Sequence, residues 1–177
     1  MNTLERGGGL APDLIVPLVG FRQWRLVDGA PTSVYDRAPW PGGRITASCD
    51  RGHRAEEVPA KECSCGVHAY YDPCPRTASA ATPDLIGGAV VVWGRIEAHI
   101  YGMRGEHARI VALELPLSRG RKRQAVIDAA ERIGVPAVPH RSLKPIALEH
   151  GKVLQPSLRP EKTLTRAANV WARNGPA

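Results

Sequence analysis

Short runs of β-branched and aromatic residues, interrupted by glycine and proline, fill the first two-thirds of the chain. Residues 15–27 form the first run, Asp28-Gly29 is a turn signal, and residues 31–35 can return as a hairpin partner. Residues 45–49 and 66–72 repeat the pattern on a smaller scale. This part of the chain is therefore predicted to consist of short β-strands joined by tight turns.

The strongest strand signal is a hairpin formed by residues 89–100 and 109–117. Polar and apolar residues alternate perfectly over residues 95–100, which is typical of a strand with one buried face. Gly94 interrupts the first strand, and a glycine inside a strand usually marks a bulge or a bend. We expect a long hairpin with a bent first strand and with Trp93 in the β core.

The pattern changes to a helical period after the hairpin. Residues 121–133 carry an apolar stripe of helical spacing, and Gly134 fits the left-handed position that follows a helix. Ser142 can cap a second helix that ends near His150. A third helix is predicted over residues 160–173, which begin with the proline that favours a first helical turn.

Together these patterns predict an α+β fold, in which a small bent β-barrel or sandwich is followed by a basic helical C-terminal part. The chain divides into a flexible leader over residues 1–13, a β-rich domain over residues 14–117 and a helical region over residues 118–177. With 177 residues, the chain is long enough to bury a core of its own.

Composition and charge narrow the functional classes. The chain is 43% hydrophobic and 23% charged, as in ordinary soluble proteins, and no stretch approaches the roughly 20 apolar residues of a membrane span. No signal peptide is recognisable, so a cytoplasmic location is expected. The net charge of +7 lies entirely in residues 111–177, because residues 1–110 are neutral overall. This asymmetry predicts an anionic partner, either nucleic acid or an acidic protein surface, with a membrane surface as the weaker alternative.

Seven basic residues in this part of the chain are the candidate phosphate contacts. The three that lie on the third predicted helix share one face, opposite an apolar face centred on Trp171. Contacts to phosphate would make binding steeply salt-dependent and weakly sequence-specific. The alternative is a solvated basic surface without a partner. The candidates are Arg119, Arg121, Lys122, Arg123, Lys162, Arg166 and Arg173.

The four cysteines all lie between positions 49 and 74. In a chain with no sign of secretion, disulfides are the weaker explanation, whereas thiolates and imidazoles are the usual ligands of tetrahedral zinc. In an extended segment Cys63 and Cys65 point the same way, and the following glycine lets the backbone turn closely around a metal. We predict structural zinc bound by Cys49, Cys63 and Cys65, with His53 or Cys74 as the fourth ligand. Unligated, redox-active or nucleophilic cysteines stay open, and an open three-ligand site with a bound water would be catalytic.

The polar face of the hairpin offers a second set of groups. Glu97 and His99 lie on one face of their strand, and Glu106 and His107 begin the return strand. Such a set could bind a metal or perform acid–base chemistry. Antiparallel strands commonly expose a face of paired charges, and we favour this structural interpretation. The G-x-S-x-G elbow, the P-loop and the H-E-x-x-H motif do not occur in the sequence.

Two segments resemble a pattern found in actinobacterial and actinophage proteins of unknown function. The resemblance covers about residues 18–117 and implies no activity. At position 68 the pattern more often has an aromatic residue, which makes His68 a weaker candidate as a zinc ligand. The segments that carry the resemblance are Cys63-Ser-Cys65-Gly66-Val67-His68-Ala69, and Val92-Trp93-Gly94-Arg95 with His99, Gly102, Arg104, Glu106 and Ala108.

These observations lead us to expect a small zinc-stapled protein that associates with nucleic acid or acts in regulation. A protein–protein adaptor that docks on an acidic partner is the alternative, and a metal-dependent hydrolase is the second alternative. Whether the protein is an enzyme stays open, and we favour a role that is not enzymatic.

Overall fold

The structure, a computed structural model, describes residues 16–73 and 84–160. Within these ranges, one sheet contains seven strands and two helices follow its long hairpin. The predicted mixed α+β content is therefore confirmed. The strands are β1 (Leu18–Val27), β2 (Ala30–Ser33), β3 (Arg44–Thr46), β4 (Val67–Tyr70), β5 (Leu85–Ala98), β6 (Gly102–Glu114) and β7 (Ala137–Val138), and the helices are α1 (Arg121–Ile133) and α2 (His140–Leu148). Short 3-10 turns lie at Pro41–Gly43, Ala55–Glu57 and Pro156–Leu158.

The strand pairings close into a ring. β5 is antiparallel to β1 on one side and to β6 on the other. β6 pairs in turn with β4, and β4 meets β1 again through the Phe21–Tyr70 pair. β2 extends β1, while β3 and the parallel strand β7 lie beside β6. Since β5 occupies one edge of β6, β3 and β4 follow one another along the other edge, and this placement positions the site described below.

A helix packs on each face of the sheet. Because side chains alternate along a strand, Val90 of β5 faces one cluster of buried residues and Val91 faces the other. α1 joins the first cluster through Ala129, and α2 joins the second through Leu143 and Ala147. Residues 118–160 thus share the core of the β-rich part.

α1 has the limits that its sequence pattern predicts. Gly134 follows it in the left-handed conformation, with φ 71° and ψ 37°. The N–H group of Val135 donates to the carbonyl of Ala130 at 3.0 Å, which satisfies one of the carbonyl groups left open at a helix end. A glycine at this position avoids the steric cost that a side chain has at positive φ.

α2 begins three residues earlier than the sequence pattern predicts. Its first residue is His140, which follows Pro139, so Ser142 lies inside the first turn and does not cap the helix. The prediction of a Ser142 cap is therefore wrong. The third predicted helix lies outside the described residues beyond its first position, Pro160. No described helix has both the length and the apolar character that crossing a membrane requires.

Two other tryptophans, rather than Trp93, occupy the β core. Trp24 and Trp40 are at most 1% exposed, and their rings meet edge to face with centroids 5.4 Å apart. Trp93 is only partly buried and stacks on His107, with ring centroids 5.6 Å apart. The core position predicted for Trp93 is wrong, because the ring packs only at the margin of the second cluster. Trp93 is the last residue of β5 that pairs with β6 before the register shift at the Gly94 bulge, which was predicted correctly.

Candidate metal centre

Four side chains with potential zinc ligands converge in the loop between β3 and β4, residues 47–66, which we name the metal loop. The ligand atoms of Cys49, His53, Cys63 and Cys65 lie within 4.8 Å of one another. Cys49 Sγ is 3.2 Å from His53 Nδ1 and 3.7 Å from Cys63 Sγ. The structure therefore brings the three predicted cysteines together with His53. Cys74, the other candidate for the fourth position, lies outside the described residues.

The spacing of these atoms suits a tetrahedral zinc ion. Zinc lies about 2.3 Å from a thiolate sulfur, so two sulfur ligands at the corners of a tetrahedron are about 3.8 Å apart. The Cys49 and Cys63 sulfurs, at 3.7 Å, already have this separation. The 3.2 Å between Cys49 and His53 is close to the corresponding sulfur–nitrogen distance of about 3.5 Å. Pairs at the 4.8 Å limit must shorten by about 1.0–1.3 Å on binding.

The pairing of β6 explains why the two ends of the metal loop meet. Thr46, the last residue of β3, pairs with His107, while Val67, the first residue of β4, pairs with Gly105. A loop that leaves β3 and enters β4 must therefore close on itself beside β6. Cys49 lies three residues after β3 and Cys65 two residues before β4, so the strand pairing brings the two ends of the loop, and with them the two cysteines, into the same region.

Gly66 makes the sharp change of direction between Cys65 and β4. Its φ is +112°, and an added Cβ atom would lie 2.9 Å from Pro59 Cβ and 3.2 Å from Arg104 Cβ. A residue with a side chain would have both a strained backbone and a steric clash at this position. Gly66, which was predicted to allow a close turn, therefore lets the backbone approach both Pro59 within the loop and Arg104 in β6.

The first half of the metal loop is ordered by its own polar contacts. The backbone N–H of Arg54 donates to the carboxylate of Glu57 at 2.9 Å, and Glu57 N–H donates back to Arg54 O at 2.9 Å. Residues 50–57 are exposed, with the exception of His53, which is partly buried. Local hydrogen bonds, rather than an apolar core, therefore shape this segment.

The thiols of the cluster differ in acidity. The hydrogen bond with His53 lowers the pKa of Cys49 to about 6. Burial raises the pKa of Cys65, although the Ala60 N–H donates to its sulfur at 3.3 Å. Cys49 is therefore largely thiolate at neutral pH, whereas Cys65 is the weaker acid of the two.

Arg104, named above only as part of the resemblance, is the residue of this site for which the sequence pattern predicted no role. It lies in β6, is 3% exposed, and donates to the backbone carbonyl groups of Cys63 and Cys65. The available signal was a charged residue between Met103 and Gly105 in the long hairpin. Arginine is almost never fully buried unless it is paired, so an arginine in a buried strand indicates that it has partners. Its partners could not be recognised in advance, because three of them are backbone carbonyl groups far away in sequence.

Glu97 and His99 both bind Arg104 rather than a common ligand. Arg104 Nη2 donates to the Glu97 carboxylate, and Arg104 Nε donates to His99 Nε2 at 3.1 Å. Burial, assisted by the charge of Arg104, lowers the pKa of His99 to about 4. His99 is therefore neutral at physiological pH and accepts a hydrogen bond through Nε2.

Glu106 and His107 form a separate set at the Gly94 bulge. His107 Nε2 lies 3.3 Å from Glu106 Oε1, and His107 Nδ1 lies 3.0 Å from Thr46 Oγ1. Among the described residues, the four polar groups of the hairpin do not form a cluster with metal-ligand spacing. They occur instead as paired groups, which is the arrangement that the structural interpretation predicts.

The basic residues before and within the first turn of α1 are not equivalent. Arg119 and Arg121 are exposed. Arg123 Nη1 donates to a backbone carbonyl at 3.0 Å, and Lys122 is partly buried, which lowers its pKa. Arg119 and Arg121 therefore present their charge to solvent most directly. The remaining candidates, Lys162, Arg166 and Arg173, lie outside the described residues.

No family model, curated protein or solved structure matches the chain. The resemblance to actinobacterial and actinophage proteins therefore stays a prediction. Inference about function rests on the geometry of the metal loop and on the distribution of charge.

Proposed function

We propose that the protein is a zinc-stapled, nucleic-acid-associated protein, in which zinc bound by Cys49, His53, Cys63 and Cys65 holds the metal loop. The observation that carries the zinc assignment is the Cys49–Cys63 sulfur separation of 3.7 Å within a cluster of four ligand atoms. Three thiolates and one imidazole are an ordinary ligand set for structural zinc.

A structural role suits this site better than a catalytic one. Four protein ligands complete a tetrahedral shell, whereas catalytic zinc has three protein ligands and an open position for water. The exposed residues 50–57 also lack an apolar core of their own, so a bound ion supplies the cross-link that would hold them. The hydrolase alternative has no comparable support from the geometry.

The metal content of the purified protein tests the zinc assignment. We expect about one zinc ion per chain by elemental mass spectrometry after purification without added metal. Cys63→Ser and Cys65→Ser should each lose the ion, while Ser48→Ala, a change at an exposed residue beside Cys49, should retain it. Unchanged zinc content in both cysteine variants, or a wild-type protein without zinc that cannot be loaded, would contradict the assignment.

The nucleic-acid part of the proposal rests on charge. The entire net charge of +7 lies after residue 110, and Arg119 and Arg121 are exposed where α1 begins. The first turn of α1 has no acidic residue and no side-chain cap. Because the N-terminus of a helix is itself partly positive, basic residues there repel it, and an adjacent phosphate would relieve this repulsion.

A salt titration of DNA and RNA binding by the full chain tests this part. Two multiple variants, each with basic residues changed to glutamine, should bind more weakly. The first changes Arg119 and Arg121, and the second changes Lys162, Arg166 and Arg173. Each phosphate contact that is lost should reduce the slope of log affinity against log salt by about 0.9 for duplex DNA. The control is Arg25 with Arg44, two exposed arginines of the sheet, changed in the same way.

The same experiment separates nucleic acid from an acidic protein partner. The nucleic-acid proposal would be contradicted if the wild-type protein bound neither DNA nor RNA at low salt, or if the variants bound as tightly as the wild type. A protein partner that is retained at high salt and after nuclease treatment would then favour the adaptor alternative.

A further inference from the structure

We propose that Arg104 is a positioning residue of the metal site, which holds the backbone of Cys63–Cys65 so that the two thiols converge on the ion. The inference rests on the proposed zinc site. It adds that metal binding is coupled to the β5–β6 hairpin through one side chain.

The contacts of Arg104 with the metal loop are directed at backbone carbonyl groups. Nη1 donates to the carbonyl oxygens of both Cys63 and Cys65, the latter at 2.9 Å, and Nη2 donates to Ala60 O at 3.3 Å. Two carbonyl groups on either side of Ser64 are thus bound by one nitrogen atom. This fixes the peptide groups that set the directions of the Cys63 and Cys65 side chains.

A second arginine of the hairpin makes a similar but weaker contact. Arg95 Nη1 lies 3.4 Å from the carbonyl oxygen of Val58. Both arginines therefore donate to carbonyl groups in the second half of the metal loop, residues 58–65. The contact with Cys63 O is buried and the other three are partly buried, and an unpaired buried carbonyl is costly.

The guanidinium group is held in place from the hairpin side. Glu97 accepts from Nη2, and His99 Nε2 accepts from Nε at 3.1 Å. With Arg104 only 3% exposed, its charge needs this compensation from the Glu97 carboxylate. Since Glu97 balances the charge, we attribute the effect of Arg104 on the metal to its fork of directed donors rather than to its positive charge.

This distinction can be tested with two substitutions. Arg104→Met removes the donors and the charge, whereas Arg104→Lys keeps the charge but lacks the planar fork. Loss of an interaction that orients metal ligands typically lowers metal affinity about 10–100-fold, and we expect both variants to fall in this range. Arg44→Met, a change at an exposed arginine of β3, is the matched control and should bind zinc like the wild type.

Zinc affinity is measured by competition with a chromophoric chelator, on variants whose fold is checked by circular dichroism. Substitution with cobalt(II) adds a spectroscopic readout, because the visible absorption of bound cobalt reports the geometry of its ligands. A weakened and altered cobalt spectrum in both Arg104 variants, with a normal spectrum in the control, supports the inference. Wild-type zinc affinity in Arg104→Met, or full rescue by Arg104→Lys, would overturn it while leaving the zinc site intact.

A second measurement needs no variant and remains available if the Arg104 substitutions do not fold. Hydrogen exchange of the full wild-type chain is compared with and without zinc. If Arg104 couples the two parts, zinc should slow exchange in β6 around residues 102–106 as well as in the metal loop. Protection confined to the metal loop, with no change in the hairpin, would overturn the coupling, whereas a wild-type chain that binds no zinc would overturn the proposed function itself.

Discussion

Arg104 Nη1 lies 2.9 Å from the carbonyl oxygen of Cys65, and this hydrogen bond joins β6 to the metal loop. The loop packs few apolar side chains, since Val58 and Pro59 are the buried residues between His53 and Cys63. Its conformation depends instead on polar contacts with the hairpin and, in our proposal, on a bound ion. These two restraints act on the same short segment, Cys63–Cys65, and each should therefore strengthen the other.

Removal of the metal should make the cluster sensitive to oxidation. Cys49 is largely thiolate at neutral pH and its sulfur is 3.7 Å from that of Cys63. Hydrogen peroxide should therefore oxidise the pair to a disulfide, with loss of two protons and two electrons and reduction of the peroxide to water. Zinc-loaded protein should resist, because both thiolates are occupied. Peptide mass mapping measures the linkage, with Cys49→Ser as control; equal oxidation with and without zinc would contradict this prediction.

Gly66→Ala should destabilise the protein and weaken zinc binding. The substitution combines a left-handed backbone with a Cβ atom 2.9 Å from Pro59 Cβ, so we expect a loss of more than about 1 kcal/mol in the free energy of unfolding. Gly42→Ala is the matched control, because Gly42 also has positive φ but has no neighbouring atom within 4 Å. Urea unfolding measures both variants. Equal losses in the two would show that backbone strain, rather than the close approach to Pro59 and Arg104, is what matters at Gly66.

The stability of the metal-free protein should fall as the pH decreases from about 6.5 to about 4. Burial lowers the pKa of His99 to about 4, whereas an unfolded histidine has a pKa of about 6.5. Between these values the unfolded chain binds more protons than the folded one, so acid favours unfolding. The charged groups that face His99 are Arg104, which opposes protonation, and Glu97, whose carboxylate lies 3.7 Å from Nε2.

Urea unfolding of metal-free wild type and His99→Gln across this pH range tests the assignment. The variant should lose part of the slope, by at most about 1.4 kcal/mol per pH unit, which is the effect of one proton. His68, whose pKa burial also lowers to about 4, should account for much of the slope that remains. An unchanged slope in His99→Gln would contradict the account of His99 as a buried neutral acceptor.

Trp24→Ala should be much more destabilising than Trp93→Ala. Trp24 is fully buried and packs against Trp40, so its removal should cost about 3–5 kcal/mol in the free energy of unfolding. Trp93 is only partly buried, and its main specific contact is the stack on His107, so the loss should be clearly smaller. Chemical denaturation of the two variants checks the order, and a larger loss in Trp93→Ala would contradict the placement of the two rings.

The sequence correctly predicted the strands and helix ends that are determined by residues within or next to the element. The alternation over residues 95–100 and the interruption at Gly94 predicted the hairpin and its bulge, and Gly134 predicted the end of α1. Ser142 and Trp93 were assigned wrongly for reasons that lie close to them in sequence. Pro139 precedes the first residue of α2, and Trp93 is the last residue of β5 paired with β6 before the register shift, at the margin of the second cluster.

The sequence predicted the three cysteine ligands of the metal cluster, but neither the choice of the fourth ligand nor the contact with Arg104. Cysteines concentrated in one short segment indicated the ligands, and the pairing of β3 and β4 with β6 brings them together. Spacing alone left the fourth ligand open between His53 and Cys74, since the turn that brings His53 back to Cys49 has no clear sequence signature. The role of Arg104 could not be predicted because it binds a backbone carbonyl 39 residues away, and the sequence of the loop does not encode which carbonyl groups will need a partner.

X-ray absorption at the zinc edge of the purified protein tests the central claim most directly. Our account predicts a first shell of three sulfur atoms at about 2.3 Å and one nitrogen atom at about 2.0–2.1 Å. In the His53→Ala variant the nitrogen contribution should disappear or be replaced by an oxygen from water, while the three sulfur atoms stay. A shell with fewer than three sulfur atoms, or a His53→Ala spectrum identical to that of the wild type, would contradict the assignment of Cys49, His53, Cys63 and Cys65 as the zinc ligands.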